Sequence, residues 1–384
     1  MTAKQGAAAA TPRLRFPEYR KAQPWLVKRF DQLLTIGSGR DYKHLGPGDI
    51  PVYGSGGYML SVDDYLYEGE SVCIGRKGTI DRPVFLSGKF WTVDTLFYTH
   101  SFTDCLPRFV FLHFQNIDWK KHNEAGGVPS LSKTNIEKIE VAVPSIAEQQ
   151  KIADCLTSVD EVIAAQGRKV EALKAYKRGL MQQLFPREGE TRPRLRFPEF
   201  RNAPEWEAKD VADVFRVTRG EVLAMPLVKD ERSSDAPYPV YSSQTKNYGL
   251  AGYHSEFLYE DAITWTTDGA NAGEVNYRTG KFYCTNVCGV LLSNEGYANP
   301  CIAALLNTVT RSHVSYVGNP KLMNGVMGKI TIAFPSLEEQ RRIADFLWSL
   351  DNQITAESHQ LAALKTHKQG LMQQLFPAPE AASA

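Results

Sequence analysis

Residues 144–186 read PSIAEQQKIADCLTSVDEVIAAQGRKVEALKAYKRGLMQQLFP, and residues 335–377 read PSLEEQRRIADFLWSLDNQITAESHQLAALKTHKQGLMQQLFP. The offset is 191 throughout with no gap, and 24 of the 43 positions are identical. A repeat of this length sets the architecture, so everything else is read around it. Each copy reads as one long helix. In the first, the seam runs Ile152, Leu156, Val159, Ile163, Gln166, Val170, Leu173, Lys177, Leu180, Leu184. In the second it runs Ile343, Leu347, Leu350, Ile354, Glu357, Leu361, Leu364, Lys368, Leu371, Leu375. Steps of four and three alternate, which makes a heptad seam rather than the broader stripe of a surface helix. Pro186 and Pro377 stop both helices.

Such a rod is roughly 60 Å long at 1.5 Å per residue, and one apolar seam cannot stand alone in water. The economical partner is the other copy. An antiparallel, symmetric register that joins seam to seam sets Lys177 against Glu357 and Gln166 against Lys368, polar breaks that fix register at a cost in stability. The competing reading is that both lysines snorkel to solvent near a splayed end.

A second repeat frames the first. TPRLRFPEYR at 11–20 returns as RPRLRFPEFR at 192–201, and Trp25 is answered by Trp206, with an offset of 181. The later copy follows the first long helix. By symmetry, Arg13–Arg20 is expected beside Leu375–Pro377. The whole is expected to be two half-chains related by a pseudo-twofold axis.

The segments between, about 25–143 and 206–334, share only a skeleton: Pro51-Val52-Tyr53 with Pro239-Val240-Tyr241, Gly88-Lys89-Phe90 with Gly280-Lys281-Phe282, Pro129-x-Leu131 with Pro320-x-Leu322. Ser71–Ile74, Phe90–Tyr98, Ala262–Trp265 and Cys284–Leu292 read as β segments punctuated by glycine turns. Arg108–Asn116 and Asn299–Val309 read as one helix each. The expected fold class is α+β: two globular α+β domains joined by two long antiparallel helices in a coiled coil. The divisions are 1–20, an N-terminal segment; 21–143, the first domain; 144–186, the first helix; 187–205, a linker repeating the N-terminal segment; 206–334, the second domain; 335–377, the second helix; and 378–384, a disordered tail.

Same scaffold with different loops is the mark of two recognition modules of one type. In the first domain the candidate contacts to nucleic acid are Tyr53, Ser55, Tyr58, Arg76, Lys77, Lys120, Lys121, Asn123, Ser132 and Lys133. In the second they are Ser243, Gln244, Lys246, Asn247, Asn271, Asn319, Lys321 and Asn324. Arg, Lys, Gln and Asn on loops read base edges, while Ser, Thr and Lys suit phosphates. The bland alternative for each is a solvated turn residue.

Composition excludes several classes. Hydrophobic content of 43% and charged content of 23% are those of an ordinary soluble protein. Six cysteines (73, 105, 155, 284, 288, 301) form no CxxC pair and no metal-ligand spacing, and read as reduced thiols of a cytoplasmic protein. No apolar run spans a membrane, and the N-terminal alanine run is too short for a signal peptide. There is no phosphate-binding loop, no HExxH pair and no nucleophile elbow, so no catalytic residue is assigned. A net charge of only +1 gives no whole-chain support for nucleic-acid binding, which must rest on local patches or a basic partner.

The order of these pieces (variable domain, helix with P-S-x-x-E-Q-x-x-I-A and L-M-Q-Q-L-F-P, RFPEF, second variable domain, second helix) resembles the specificity subunit of type I restriction–modification systems. The resemblance covers essentially the chain after residue 11. It implies two target recognition domains, each reading one half of a split double-stranded DNA site. It further implies an antiparallel helical spacer that docks two methyltransferase subunits, with motor–nuclease restriction subunits joining for cleavage. Glu148-Gln149 with Ile152, and Glu339-Gln340 with Ile343, lie where that family's helices begin. No cofactor is expected on this chain; S-adenosylmethionine would belong to the methyltransferase, ATP and magnesium to the restriction subunit. Two alternatives are kept open: a two-lobed coiled-coil scaffold that does not bind DNA, and a nuclease or methyltransferase whose motif is not recognised in the sequence.

Overall fold

The computed structural model describes residues 9–243 and 246–377, the side chain of Lys246 apart. Of the expected divisions, residues 1–8 and the tail 378–384 therefore lie outside the described residues. The chain divides into two compact units, one made of residues up to Gly167 together with those from His359 onward, the other of Arg168–Ser358.

Both repeats of the opening stretch are single helices, Ile146–Leu184 and Leu337–Leu375, each of 39 residues. Every seam position is buried or half-buried, while the intervening faces are largely exposed. Within the first unit, Leu371, Met372 and Leu375 share a core with Ile152, Ala153 and Leu156. Within the second, Met181 packs on the core that holds Ile343 and Leu347. In both, late residues of one helix meet early residues of the other, so the helices pair antiparallel.

The two seam lysines bond to partners other than those expected. Lys177 Nζ bonds to Asp351 at 2.5 Å, and Lys368 Nζ to Asp160 at 2.7–2.8 Å and to Gln115 at 3.2 Å. Glu357 takes Lys169 at 2.6 Å. Asp160 and Asp351 are the same position of the repeat, next to the seam residues Val159 and Leu350. A lysine at the seam can lay its stem along apolar neighbours and deliver its ammonium to a carboxylate at the flank, where it stays partly hydrated. That geometry won over a face-to-face pairing of Lys177 with Glu357.

The start of each helix explains its signature. Glu148 and Gln149 are each 1% exposed or less, as are Glu339 and Gln340. Arg15 Nε and Nη2 bond the two oxygens of Glu148, both at 2.7 Å, and Trp25 Nε1 adds a third bond at 3.2 Å. Arg196 and Trp206 treat Glu339 identically, at 2.7, 2.7 and 3.1 Å. Gln149 donates to the Pro144 and Asp104 carbonyls and accepts from Leu106 N–H, all at 2.9 Å. These residues bind the RFPE segment and the neighbouring domain to the first turn of the helix. At the far end, Leu14 N–H donates to the Gln374 carbonyl and Leu195 N–H to that of Gln183, both at 2.9 Å.

Each domain is α+β. In the first, four antiparallel strands run in the order Thr35–Ser38, Leu96–His100, Ser71–Gly75, Val84–Leu86. Alternation puts Ile36, Val72, Ile74 and Phe97 on the face covered by the helix Pro107–Asn116. A second sheet is ordered Gly57–Val62, Pro47–Gly54, Lys89–Thr92, Tyr67–Glu68. In the second domain the two sheets fuse into six strands, because Val275–Cys284 runs unbroken where the first domain turns at Ser87-Gly88. The expected helix at Asn299–Val309 is present as Pro300–Val309 with Asn299 capping it. Two expected β runs are each broken by a turn: Phe90–Tyr98 at Val93–Thr95, and Cys284–Leu292 at Thr285–Val287. Those turns receive Gly39 and Gly220, where a Cβ would lie 2.0 Å from the Val93 carbonyl and 2.2 Å from that of Cys284. Glycine is required at both by this close approach.

Candidate nucleic-acid interface

In the first domain three loops are fastened together by backbone hydrogen bonds. Arg76 N–H donates to the Thr95 carbonyl at 2.8 Å, Leu131 N–H to Arg76 at 2.9 Å, and Gly78 N–H to Pro129 at 2.9 Å. The hairpin tip reaches the same place, since a Cβ on Gly78 would meet Ser55 Oγ at 3.4 Å. The cluster flanks two shallow hollows, one lined by Tyr42, Lys43, Ser55, Tyr58 and Thr95, the other by Asp81, Arg82, Lys120 and Asn123. Arg76 and Lys77 are exposed beside them. Tyr58 is exposed with its ring edge-on to half-buried Tyr53. Lys120 reaches Asp81 at 3.3 Å, an exposed pair that water screens and a phosphate can break.

Other expected contacts have different duties. Asn123 accepts from Ser130 N–H at 2.9 Å and donates to the Ala125 carbonyl at 2.8 Å, so its amide shapes the loop instead of reading a base. Ser132 caps the short helix Lys133–Glu137 and donates to Glu124 at 2.6 Å. That hydroxyl holds the Glu124 carboxyl below its usual range. Lys133 pairs with Glu137 at 3.7 Å. Lys121 turns to a separate hollow lined by His113, Lys138 and Pro377. Lys43 and Arg82 are not among the expected contacts; each lies in an irregular stretch, and only the fold brings one to each hollow.

The second domain rebuilds the frame with other side chains. Leu322 N–H donates to Thr267 and Gly269 N–H to Pro320, both at 2.9 Å. These are the counterparts of Leu131–Arg76 and Gly78–Pro129, at the same offset of 191. Arg76-Lys77-Gly78 is thus replaced by Thr267-Asp268-Gly269. Thr267 N–H continues to the Val287 carbonyl at 3.0 Å, and Thr285 bonds Tyr241 through its N–H at 2.9 Å and Ser242 through its hydroxyl at 3.0 Å. Beneath Tyr241, the buried Arg278 guanidinium lies 3.8 Å from the ring centre and donates to Thr264 Oγ1 at 3.0 Å; burial pushes its pKa down.

Ser243 and Asn271 are half-buried; Asn247, Asn319 and Lys321 are exposed. Lys321 Nζ stands 3.9 Å from Asp268. Asn324 is a brace, its amide bonded to the Thr218 carbonyl at 3.2 Å. Gln244 and the side chain of Lys246 lie outside the described residues. Among the described residues no group of His, Cys, Asp and Glu is placed to hold a metal, and no helix is long and apolar enough to cross a membrane. All six cysteines are free thiols.

Two copies of one loop frame, each at the head of a long helix, define a two-domain recognition protein. The sequence pattern of the type I restriction modification DNA specificity domain matches residues 23–175 and again 204–366. The chain belongs to that family. It is 32% identical over 235 residues to S.MpnORF365P of Mycoplasma pneumoniae, covering 60% of this chain and 82% of that one. It is 34% identical over 149 residues to the type I restriction enzyme MpnII specificity subunit of the same organism, 38% of this chain and 44% of the other. The crystal structure of the type I restriction–modification S subunit from M. genitalium superposes with a TM-score of 0.65 at 16% identity, covering 96% of this chain and 99% of that one.

Proposed function

We propose that each domain reads one half of a split double-stranded DNA site, that the paired helices set the gap between the halves, and that methyltransferase subunits dock on this chain. The observation that carries the reading is the shared frame with opposite loop charge: the same two backbone bonds hold Arg76-Lys77-Gly78 in one domain and Thr267-Asp268-Gly269 in the other. A scaffold binding two equivalent partners would keep the loop chemistry along with the frame; a reader of two different half-sites keeps the frame and changes the chemistry. The chain is the non-catalytic member of the assembly. S-adenosylmethionine belongs to two methyltransferase partners, and ATP with magnesium to restriction subunits that join them in the cytoplasm. A net charge of +1 fits a subunit that holds DNA as part of a larger complex and binds it weakly and salt-sensitively alone.

Co-expression with the methyltransferase encoded beside it, followed by mapping of methylated adenines, tests this. A split, asymmetric motif is expected. Methylation without a motif that depends on this chain, together with no DNA retention at low salt, would return the scaffold reading.

A further inference from the structure

The loop from Ser315 to Lys321 is closed at its base by two backbone hydrogen bonds between those residues, both 2.9 Å. Lys321 also bridges Asp268, while its neighbours Pro320 and Leu322 are held by Gly269 and Thr267. Gly318 turns the chain at φ +76°. The tip is therefore braced on the recognition cluster, and it carries Tyr316 at 69% exposure and Val317 at 92%. A scattered apolar residue on a surface needs no explanation. An aromatic and a branched aliphatic side by side on a fixed projection are a different matter.

The first domain has the same loop, closed by Glu124 N–H on the Ser130 carbonyl at 3.1 Å, but with Ala125 and Gly126 at the corresponding positions. The frame is common to both domains; the aromatic is not, and the first domain's loop exposes a single Val128, at 67%, at the position of Asn319. Around its base stand exposed Lys321 and Arg311, with Val314 N–H bonded to the Arg311 carbonyl. Cations at the root and an apolar tip suit a wedge in duplex DNA: the cations meet phosphates, and the tip replaces the stacking of one base step.

We propose that Tyr316 and Val317 insert between adjacent base pairs of the half-site read by the second domain and kink the duplex there. That half-site is then chosen partly by how readily the step deforms, at positions no side chain hydrogen-bonds. The first domain reads its half-site without a wedge. The proposal rests on the DNA-reading role above.

The test uses the complex with its methyltransferase on the mapped site, with 2-aminopurine placed singly along both halves and away from the methylated adenine. Fluorescence is expected to rise at one step, in one half only. The double variant Tyr316→Ala/Val317→Gly should abolish that rise while the duplex stays bound and thermal unfolding is unchanged. No rise anywhere, or a rise that persists in the double variant, overturns the wedge. So does a variant that loses the methyltransferase yet keeps the signal in the complex that remains, which would assign the tip to a protein contact. Failure to find any split motif would instead defeat the DNA-reading role itself.

Discussion

Arg15 and Glu148 are 133 residues apart in the chain and meet in a two-pronged ion pair with both contacts at 2.7 Å, their side chains 8% and 1% exposed. Arg196 and Glu339 repeat it in the second unit at the same exposures. A buried carboxylate stripped of its guanidinium is left uncompensated, which costs about 3–5 kcal/mol. Arg15→Ala is therefore expected to destabilise the first unit by about that much in urea unfolding, and Arg15→Ala combined with Glu148→Gln by clearly less, because the orphaned charge is gone. Equal losses in the single and double variants would show that the pair's charge is not what matters.

The cationic loop of the first domain predicts a salt signature. Arg76→Ala and Lys77→Ala should each weaken retention of the mapped duplex, with the slope of log affinity against log salt falling by about 1 if a phosphate is the partner. Asp268→Asn, at the counterpart of Lys77, should strengthen binding or leave it unchanged. A weakening of binding by Asp268→Asn would mean that this carboxylate reads a base directly.

His113 makes folding of the first unit sensitive to acid. Its Nε2 lies 3.1 Å from the Ala142 carbonyl, which only accepts, so this nitrogen carries the proton of a neutral ring. Burial pushes the imidazole down to about 4, against about 6.5 in an unfolded chain. Between those values the unfolded chain binds a proton that the folded one refuses, so stability falls as pH drops from about 6.5 towards about 4, by up to about 3 kcal/mol. Urea titrations across that window should show this slope in the parent and a flatter one in His113→Gln. Parallel slopes would remove His113 as the cause.

Each long helix begins in one unit and ends in the other. Seven residues added to both helices at matched seam positions lengthen each by about 10 Å, or about three base pairs of duplex. Methylation mapping should find the same half-sites with a longer gap. An unchanged gap would refute the helices as the ruler.

The helices, their seam and the RFPE contact were legible because period and repetition survive in one dimension. So was the longer helix of each variable region; the turns that break two β runs and the short helices Lys133–Glu137, Val211–Val214 and Asn324–Met327 were not. Loop chemistry was far less so. Asn123, Ser132 and Asn324 have the residue types of base readers, yet spend their polar atoms on backbone and capping bonds, and only three-dimensional neighbours reveal that. Lys177 was assigned by symmetry of the seam, which is blind to an aspartate at its flank. Tyr316 and Val317 were visible as letters; their exposure at the tip of a braced loop was not.

The bond from Leu14 to Gln374 has a consequence for how the protein is made. Arg168–Ser358 is contiguous, and everything its core needs is present once that stretch has left the ribosome. The first unit closes its core with Met372, Leu375 and Phe376, against Trp25 and Phe109. The domain translated first is therefore the last to be completed, and it must wait, with part of its apolar surface open, for residues made some two hundred positions later.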